Sequence, residues 1–442
     1  MGSQGSSRDS PLAGKSILIV GGGMFGVSTA YHLASRLNLA ETKTSITILD
    51  RFDFPSPNAA STDLNKIVRG DYSEPMYARL GLEAMAEWKK PTGMFAGMFR
   101  QTGWFLAAEN VSIPFLEASS ANLAKLGITT IKKVTPSEVR EISPTYTGPM
   151  EGWQVWWNPT AGWTTSGDAL AAMVKSAIEL GVKYVSGGDG WTKRLLYGPN
   201  GECIGVEAMS GKAHFADMVV ISAGAASAEL LDFQGQLEAK GHVVGHIQLT
   251  PEEAEYYKDM KIVDHFEEGI IFPPNKDGIV KVATVRFVTN KKNRIAPGLS
   301  LPRYRSDNPS DGIPKVIEKE IRDWVRKFVP ELADRPWFET RICWDTDTKD
   351  LHFLVDKHPS HKSLYLATGG SAHGLKFLPI IGKYVSDMLE ATLDTAFAHA
   401  WAWRPDRPLK PNRGPDPHPF PHRDLSEFED FSDASGKRAS KL

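Results

Sequence analysis

The stretch Ile17-Leu18-Ile19-Val20-Gly21-Gly22-Gly23-Met24-Phe25-Gly26 constrains this chain more than any other. Four apolar residues with the character of a buried strand run into Gly-x-Gly-x-x-Gly, and Ser28-Thr29-Ala30-Tyr31-His32-Leu33-Ala34 continues with a helical pattern. Without a Cβ at Gly21 and Gly23 the backbone can approach a pyrophosphate, Gly26 lets the helix pack closely on the strand, and the helix N-terminus offers free N–H groups to phosphates. A second strand, Ser45 to Leu49, ends at Asp50, where an acidic side chain binds the hydroxyls of an adenosine ribose. An acid there favours FAD or NAD over NADP and leaves those two undecided.

At 442 residues the chain exceeds the usual size of one core, which predicts two domains. A formal net charge of -2 gives no electrostatic reason to expect nucleic acid or an anionic membrane, and no apolar run reaches the ~18 residues of a membrane span. Small molecules are the expected partners. Cys203 and Cys343 are the only cysteines, so no disulfide framework is expected and an intracellular compartment is. The chain ends in Ser440-Lys441-Leu442, the tripeptide read by the peroxisomal import receptor, after the flexible basic stretch Gly436 to Ala439.

Along the chain, a polar loop from Phe52 to Thr62 leads to Lys66 and Arg69 in a segment with little helical character, followed by a helix from Tyr77 to Trp88. A strand at Trp104 to Ala107 precedes a helix from Ser112 to Leu126, and Gly162-Trp163 reads as a turn that can lie against a planar ring. Most of the aromatic region Trp153, Trp156, Trp157 and Trp163 reads as a core cluster. The helix Gly167 to Leu180 and the strand Val182 to Val185 precede a hairpin, Gly201 to Glu207 with Lys212 to Phe215, in which Cys203 is a packing residue. The apolar strand Met218 to Ser222 runs into Ala223 and Gly224, returning the chain to the dinucleotide sheet as many FAD enzymes do. Strands at Val243 to Leu249, Gly269 to Phe272 and Gly278 to Ala283 describe an antiparallel substrate domain. Lys281 interrupts a strongly apolar run there, where an ammonium is expensive unless paired or functional. After a polar loop, Asn290 to Gly312, and a helix from Pro314 to Phe328, a late strand, Leu364 to Thr368, feeds a second glycine-rich turn ending in Gly374-Leu375-Lys376. A helix from Pro379 would point its positive end at a ring that becomes anionic on reduction, and the tail after Trp403 is Pro-rich and irregular.

Taken together, Gly21 to Gly26, Leu64-Asn65-Lys66, His246 to Pro251, Ile342-Cys343-Trp344 and Gly374 to Pro379 resemble the fungal fructosyl amino acid oxidases (amadoriases). More widely, the chain from Ser16 to Arg404 is similar to the monomeric sarcosine oxidase and pipecolate or saccharopine oxidase flavoproteins. The expected fold is therefore α/β, a Rossmann-like FAD-binding domain with an interleaved antiparallel-sheet (α+β) substrate domain. The FAD-binding parts are placed at 15–90, 161–235 and 339–404, the substrate parts at 91–160 and 236–338, and a tail at 405–442.

The resemblance implies FAD, covalently held through Cys343 to the flavin 8α-methyl carbon; from the residue alone, Cys343 reads as packing. It implies that Lys281, with Lys66 in a similar role, promotes electron transfer to oxygen. Arg69 and Lys376, with Arg404 as a weaker candidate, are implied to grip the substrate carboxylate through charge-assisted bonds. One position departs from the amadoriase pattern: the carboxylate four residues after the strand lysine is here Val285, followed by Arg286. Lys66 to Tyr72 is more similar to the sarcosine and saccharopine branch. The expected activity is a monomeric peroxisomal oxidase that converts the secondary amine of an N-substituted amino acid to an imine and oxygen to hydrogen peroxide. The alternatives are a tailoring amine oxidase of secondary metabolism acting on an N-methyl or cyclic amino acid, and a non-catalytic flavin-binding protein.

Overall fold

The structure is a computed structural model that describes residues 10–407 and 421–431. Ser16–Val20 sits inside a six-stranded sheet between Ser45–Leu49 and Met218–Ile221 and runs parallel to both. Lys183–Val185 extends it on one side, Leu364–Thr368 and then the antiparallel edge strand Leu354–Lys357 on the other. Alternate residues of these strands face opposite layers. Ile17, Ile19, Ile46 and Ile48 pack with Val27 and Leu33 of the helix Met24–Leu37, Leu170 and Met173 of Ser166–Glu179, and Val385 of Ile381–Leu389. Leu18, Val20, Val219 and Ile221 pack on the other face with Leu195 and Val206 of a three-stranded sheet. Burial on both faces is why these strands read as unbroken apolar runs.

The second large element is a ten-stranded, mostly antiparallel sheet built on the long strand Leu237–Gln248. Ile279–Thr284 pairs along its C-terminal half, and Glu339–Thr348 along nearly its whole length. One face is apolar: Val243, Ile247, Val280, Val282 and Trp344 bury against Ile317, Ile321 and Trp324 of the helix Lys315–Arg326. The opposite face carries Lys240, His242, His246, Lys281, Arg341, Cys343 and Asp345, because residues directly opposed in register share a face. The chain enters and leaves the two sheets repeatedly, so the halves are interleaved as the sequence predicts.

Several local expectations are corrected. Gly162–Thr164 is a strand between Lys66–Val68 and Phe99–Arg100, not a turn, while Trp163 joins Trp104 and Trp156 in a buried cluster as the aromatic-core reading expects. A strand at Thr192–Tyr197, unexpected from sequence, completes the small sheet. The late helix begins at Ile381, beyond Pro379, and its Gly382 N–H donates to the Ser28 hydroxyl at 2.9 Å, so this end packs on the first helix. The tail is not wholly irregular: Arg423–Asp424 pairs with Val288–Thr289, and Leu425, Phe428 and Phe431 join the second core. Ser440-Lys441-Leu442 lies outside the described residues.

Candidate active site

The glycine-rich turn forms one wall of a cavity of about 930 Å³, within the roughly 300–1,000 Å³ of small-molecule and cofactor sites. The three motif glycines do different work. Gly21 has φ +112°, and a Cβ there would collide with the Ser222 carbonyl at the end of the returning strand. A Cβ on Gly26 would strike the Gly21 carbonyl, so this position sets how closely the first helix lies on its strand. Gly23 alone fits the role of clearing space for a ligand: it lines the cavity, and its added Cβ would meet only Ser61 Oγ at 3.6 Å. Close approach to a cofactor is thus the property of Gly23, while Gly21 is dictated by a neighbouring strand.

Asp50 also lines the cavity, its carboxylate accepting from Gly22 N–H at 2.8 Å and Phe52 N–H at 2.9 Å. Burial raises this carboxyl and those two amides oppose the rise. Gly224, at φ +54°, has nothing within 4 Å of an added Cβ and opens onto the same space. Arg51 stacks over Trp191 at 3.9 Å and donates to Asp307 at 2.8 Å, bringing the Asn290 to Gly312 loop across the cavity. The second glycine-rich turn closes another side through Gly370, Gly374 and Leu375. Asp345 joins it there, accepting from Ala372 N–H at 2.8 Å. Open space at Gly23 in the first turn and at Gly224 after the returning strand, with an anchored acid at Asp50, fits an elongated dinucleotide such as FAD.

Lys66 lines this cavity as well and connects it to a buried charge cluster. Its ammonium lies 3.1 Å from Asp63 Oδ2, which also accepts from Lys281 Nζ at 2.5 Å. Lys281 further donates to the Asn65 carbonyl at 2.7 Å and sits 4.6 Å from the Phe272 ring. It is in the sheet interior, so pairing rather than an edge explains how its charge is tolerated. Burial pushes the Lys281 ammonium down to about 8 against the pull of Asp63. Burial works to raise the Asp63 carboxyl, but Lys281, Lys66 and Arg341 hold it well below the usual carboxylate range. Burial works against charge on Lys66 too, and Cys343, Asp63 and Asp345 outweigh it, raising the ammonium. Cys343 is buried on the same sheet face, packed with Val244 and Ala283.

Arg69 and Lys376 meet at a different point. The Arg69 guanidinium donates to the Asp71 carbonyl and stands 4.5 Å from the Tyr72 ring, and Lys376 Nζ stands 5.3 Å from the same ring while donating to the His373 carbonyl at 2.8 Å. His373 bonds the Leu351 carbonyl and approaches the Tyr72 hydroxyl, so it is a structural group. Asp71, buried next to Arg69, accepts from Asn158 at 2.9 Å, and burial pushes its carboxyl up to about 6. Two expected residues are not brought to either place. Arg404 is tied to Asp350 at 2.8 Å and to the His352 carbonyl, and Val285, half-buried just past its strand, bonds the Glu268 carbonyl through its N–H. Sequence reasoning missed Asp63, Asp71 and Asp345. Asp63, three residues before Lys66, had that spacing as its only local signal.

Comparison with known proteins agrees with this geometry. Over 410 residues the chain is 31% identical to the L-saccharopine oxidase of Schizosaccharomyces pombe, covering 89% of this chain and 94% of that protein. Among solved structures, the fructosyl peptide oxidase from E. terrenum superposes with a TM-score of 0.84 at 33% identity, covering 96% of this chain and 98% of that one. The fructosamine oxidase of Aspergillus fumigatus, Amadoriase II, gives 0.84 at 30% identity, covering 94% and 96%. The resemblance to amadoriases and the interleaved FAD-oxidase fold read from the sequence both hold. Residues 16–388 match the family described as FAD dependent oxidoreductase (DAO), and the chain belongs to that family.

Proposed function

We propose that this protein oxidises the carbon–nitrogen bond of a secondary amine in an N-substituted amino acid, yielding an imine that water hydrolyses and reducing oxygen to hydrogen peroxide. The observation that carries this reading is the convergence of Lys66, Asp63, Lys281 and Cys343, from three distant segments, onto the sheet face beside the cofactor cavity. FAD, when bound, supplies the two-electron acceptor and delivers those electrons to oxygen. Gly23, Asp50, Gly224 and Gly374 hold the cofactor; Lys281 and Lys66 place positive charge where reduced oxygen needs it, and Asp63 fixes both. Arg69 and Lys376, gathered at Tyr72, orient the substrate carboxylate, which positions the amine without further acid–base machinery.

Cys343 is the residue for the covalent link. Its support is burial on the sheet face that also carries Lys281 and Arg341, close to Lys66, which lines the cavity. Peroxisomal residence is part of the same reading, supported by the Ser440-Lys441-Leu442 terminus and by the peroxide product. Val285 in place of a carboxylate favours a less polar substituent near that strand end than a sugar.

Peroxide release is the test, measured with sarcosine, pipecolate, saccharopine and fructosyl amino acids. Turnover of at least one is expected, with flavin kept on the protein after acid precipitation and released from Cys343→Ala. A yellow, folded protein silent on every amine would instead be a flavin-binding protein without turnover.

A further inference from the structure

The tail segment 421–431 reaches the cofactor cavity, where Glu429, Asp430 and Phe431 form part of the wall. The proposed chemistry gives this segment no task. Leu425, Phe428 and Phe431 recur every three residues and are buried in the second core, so apolar burial seats it. Arg423 bonds both Glu320 oxygens, at 2.9 and 2.7 Å, and His422 meets Glu238 at 2.9 Å.

Two carboxylates of the segment hold the two ends of one loop. Asp424 Oδ2 accepts from Lys291 N–H at 2.6 Å and from the Thr289 hydroxyl at 3.2 Å, where the loop Asn290 to Gly312 begins. Asp430 Oδ2 accepts from Lys315 N–H at 2.9 Å, where the loop has given way to the helix Lys315–Arg326. That N–H belongs to the first turn of a helix, which has no partner within the helix itself. Pro314 at the cap position offers no side-chain acceptor, so the cap comes from 115 residues away.

Between its ends the loop is stiff and fixed at its middle. Asn293 Nδ2 donates to the Asn290 and Leu299 carbonyls at 2.8 and 2.7 Å, and Arg303 Nε donates to Asp311 at 2.6 Å. Ser300 Oγ donates to the Ala239 carbonyl at 2.6 Å, and Trp344 Nε1 to the Arg303 carbonyl at 2.8 Å. Across the cavity the loop meets Arg51 and Asn58 through Asp307 and Ser306, contacts that solvent reaches. Exposed contacts of this kind contribute little, so the anchored ends set where the two arms of the loop lie.

We propose that residues 421–431 are a clasp for the cofactor: Asp424 and Asp430 hold both arms of the covering loop over the cavity beside Asp50 and Arg51, and FAD affinity depends on them. They are positioning residues that act through the loop and not on the reacting atoms. The inference rests on the FAD reading of the cavity, and it adds a dependence on a segment beyond the family match at residues 16–388.

The test measures FAD binding by flavin fluorescence in the full chain carrying Cys343→Ala, where affinity reports non-covalent contacts alone. Adding Asp424→Ala or Asp430→Ala should each raise the dissociation constant about tenfold, the scale of one lost hydrogen bond to a charged group. Asp430→Asn, which keeps an acceptor for Lys315, should recover most of that loss. Arg423→Gln, which breaks an ion pair of the same segment away from both loop ends, should bind FAD as its parent does. Limited trypsin digestion of the chain with Cys343 intact gives a second reading. The Asp424→Ala, Asp430→Ala double variant should be cut after Lys291, Lys292 or Arg294 about tenfold faster than the native protein, because digestion follows the population of the opened loop. If the Cys343→Ala parent takes up no FAD, the digestion decides alone. Unchanged affinity and unchanged digestion overturn the clasp, as does an Arg423→Gln that loses as much affinity as Asp430→Ala, the mark of general loosening. A native chain that neither carries flavin nor takes it up overturns the FAD reading beneath it.

Discussion

Asp63 is shared by two lysines, and that sharing has a measurable consequence. Removing one member of a buried pair leaves an uncompensated charge, which costs about 3–5 kcal/mol. Asp63→Leu should therefore lower unfolding free energy by that amount in urea titrations, and adding Lys281→Met should recover most of the loss, since Lys66 remains partly solvated. Losses that simply add would contradict the pairing. Asp71 provides a pH test. Its folded pKa of about 6 lies above the ordinary ~3.9, so its stabilising contribution is complete below about pH 4 and is lost as pH rises through about 6. Asp71→Asn, which imitates the neutral form, should be the more stable protein near pH 8, by up to roughly 3 kcal/mol, and should lose that advantage near pH 4. Lys281 was legible in the sequence because a charge inside an apolar strand is anomalous. Its partner was not, because Asp63 lies 218 residues away and nothing local announces a tertiary ion pair.

Among the elements, the strand, glycine turn and helix at Ser16–Leu37 were readable because an unbroken apolar run, a short glycine motif and then a helical period follow one another without interruption. The separate duties of the glycines were not, since the Ser222 carbonyl that excludes a Cβ at Gly21 belongs to a strand far along the chain. Gly23→Ala should fold with near-native stability and retain less flavin, read as the ratio of visible to protein absorbance. Gly26→Ala should lose soluble folded protein, because its methyl meets backbone rather than open cavity. Equal behaviour of the two would refute the division. The Gly162–Thr164 strand was missed for a similar reason: three residues are too few to show a period, and only pairing with strands on both sides defines it.

At the scale of the molecule, the two sheets divide the work between holding a cofactor and presenting charge to it, and the chain crosses between them so that neither half completes the site alone. Apolar stretches, unbroken in the first sheet and alternating in the second, showed that both sheets exist. They did not show which face of the long strand Leu237–Gln248 looks toward the cavity, since that follows only from its register with Ile279–Thr284 and Glu339–Thr348. The site takes electrons from a secondary amine and gives them to oxygen in the proposed reaction. Its most direct test is to mix the purified yellow protein, in a sealed oxygen-free cell, with each N-substituted amino acid of the panel while recording the visible flavin band. At least one is expected to bleach the band, and air to restore it with one hydrogen peroxide per amine consumed. A folded, flavin-loaded protein whose band no such amine bleaches would contradict it.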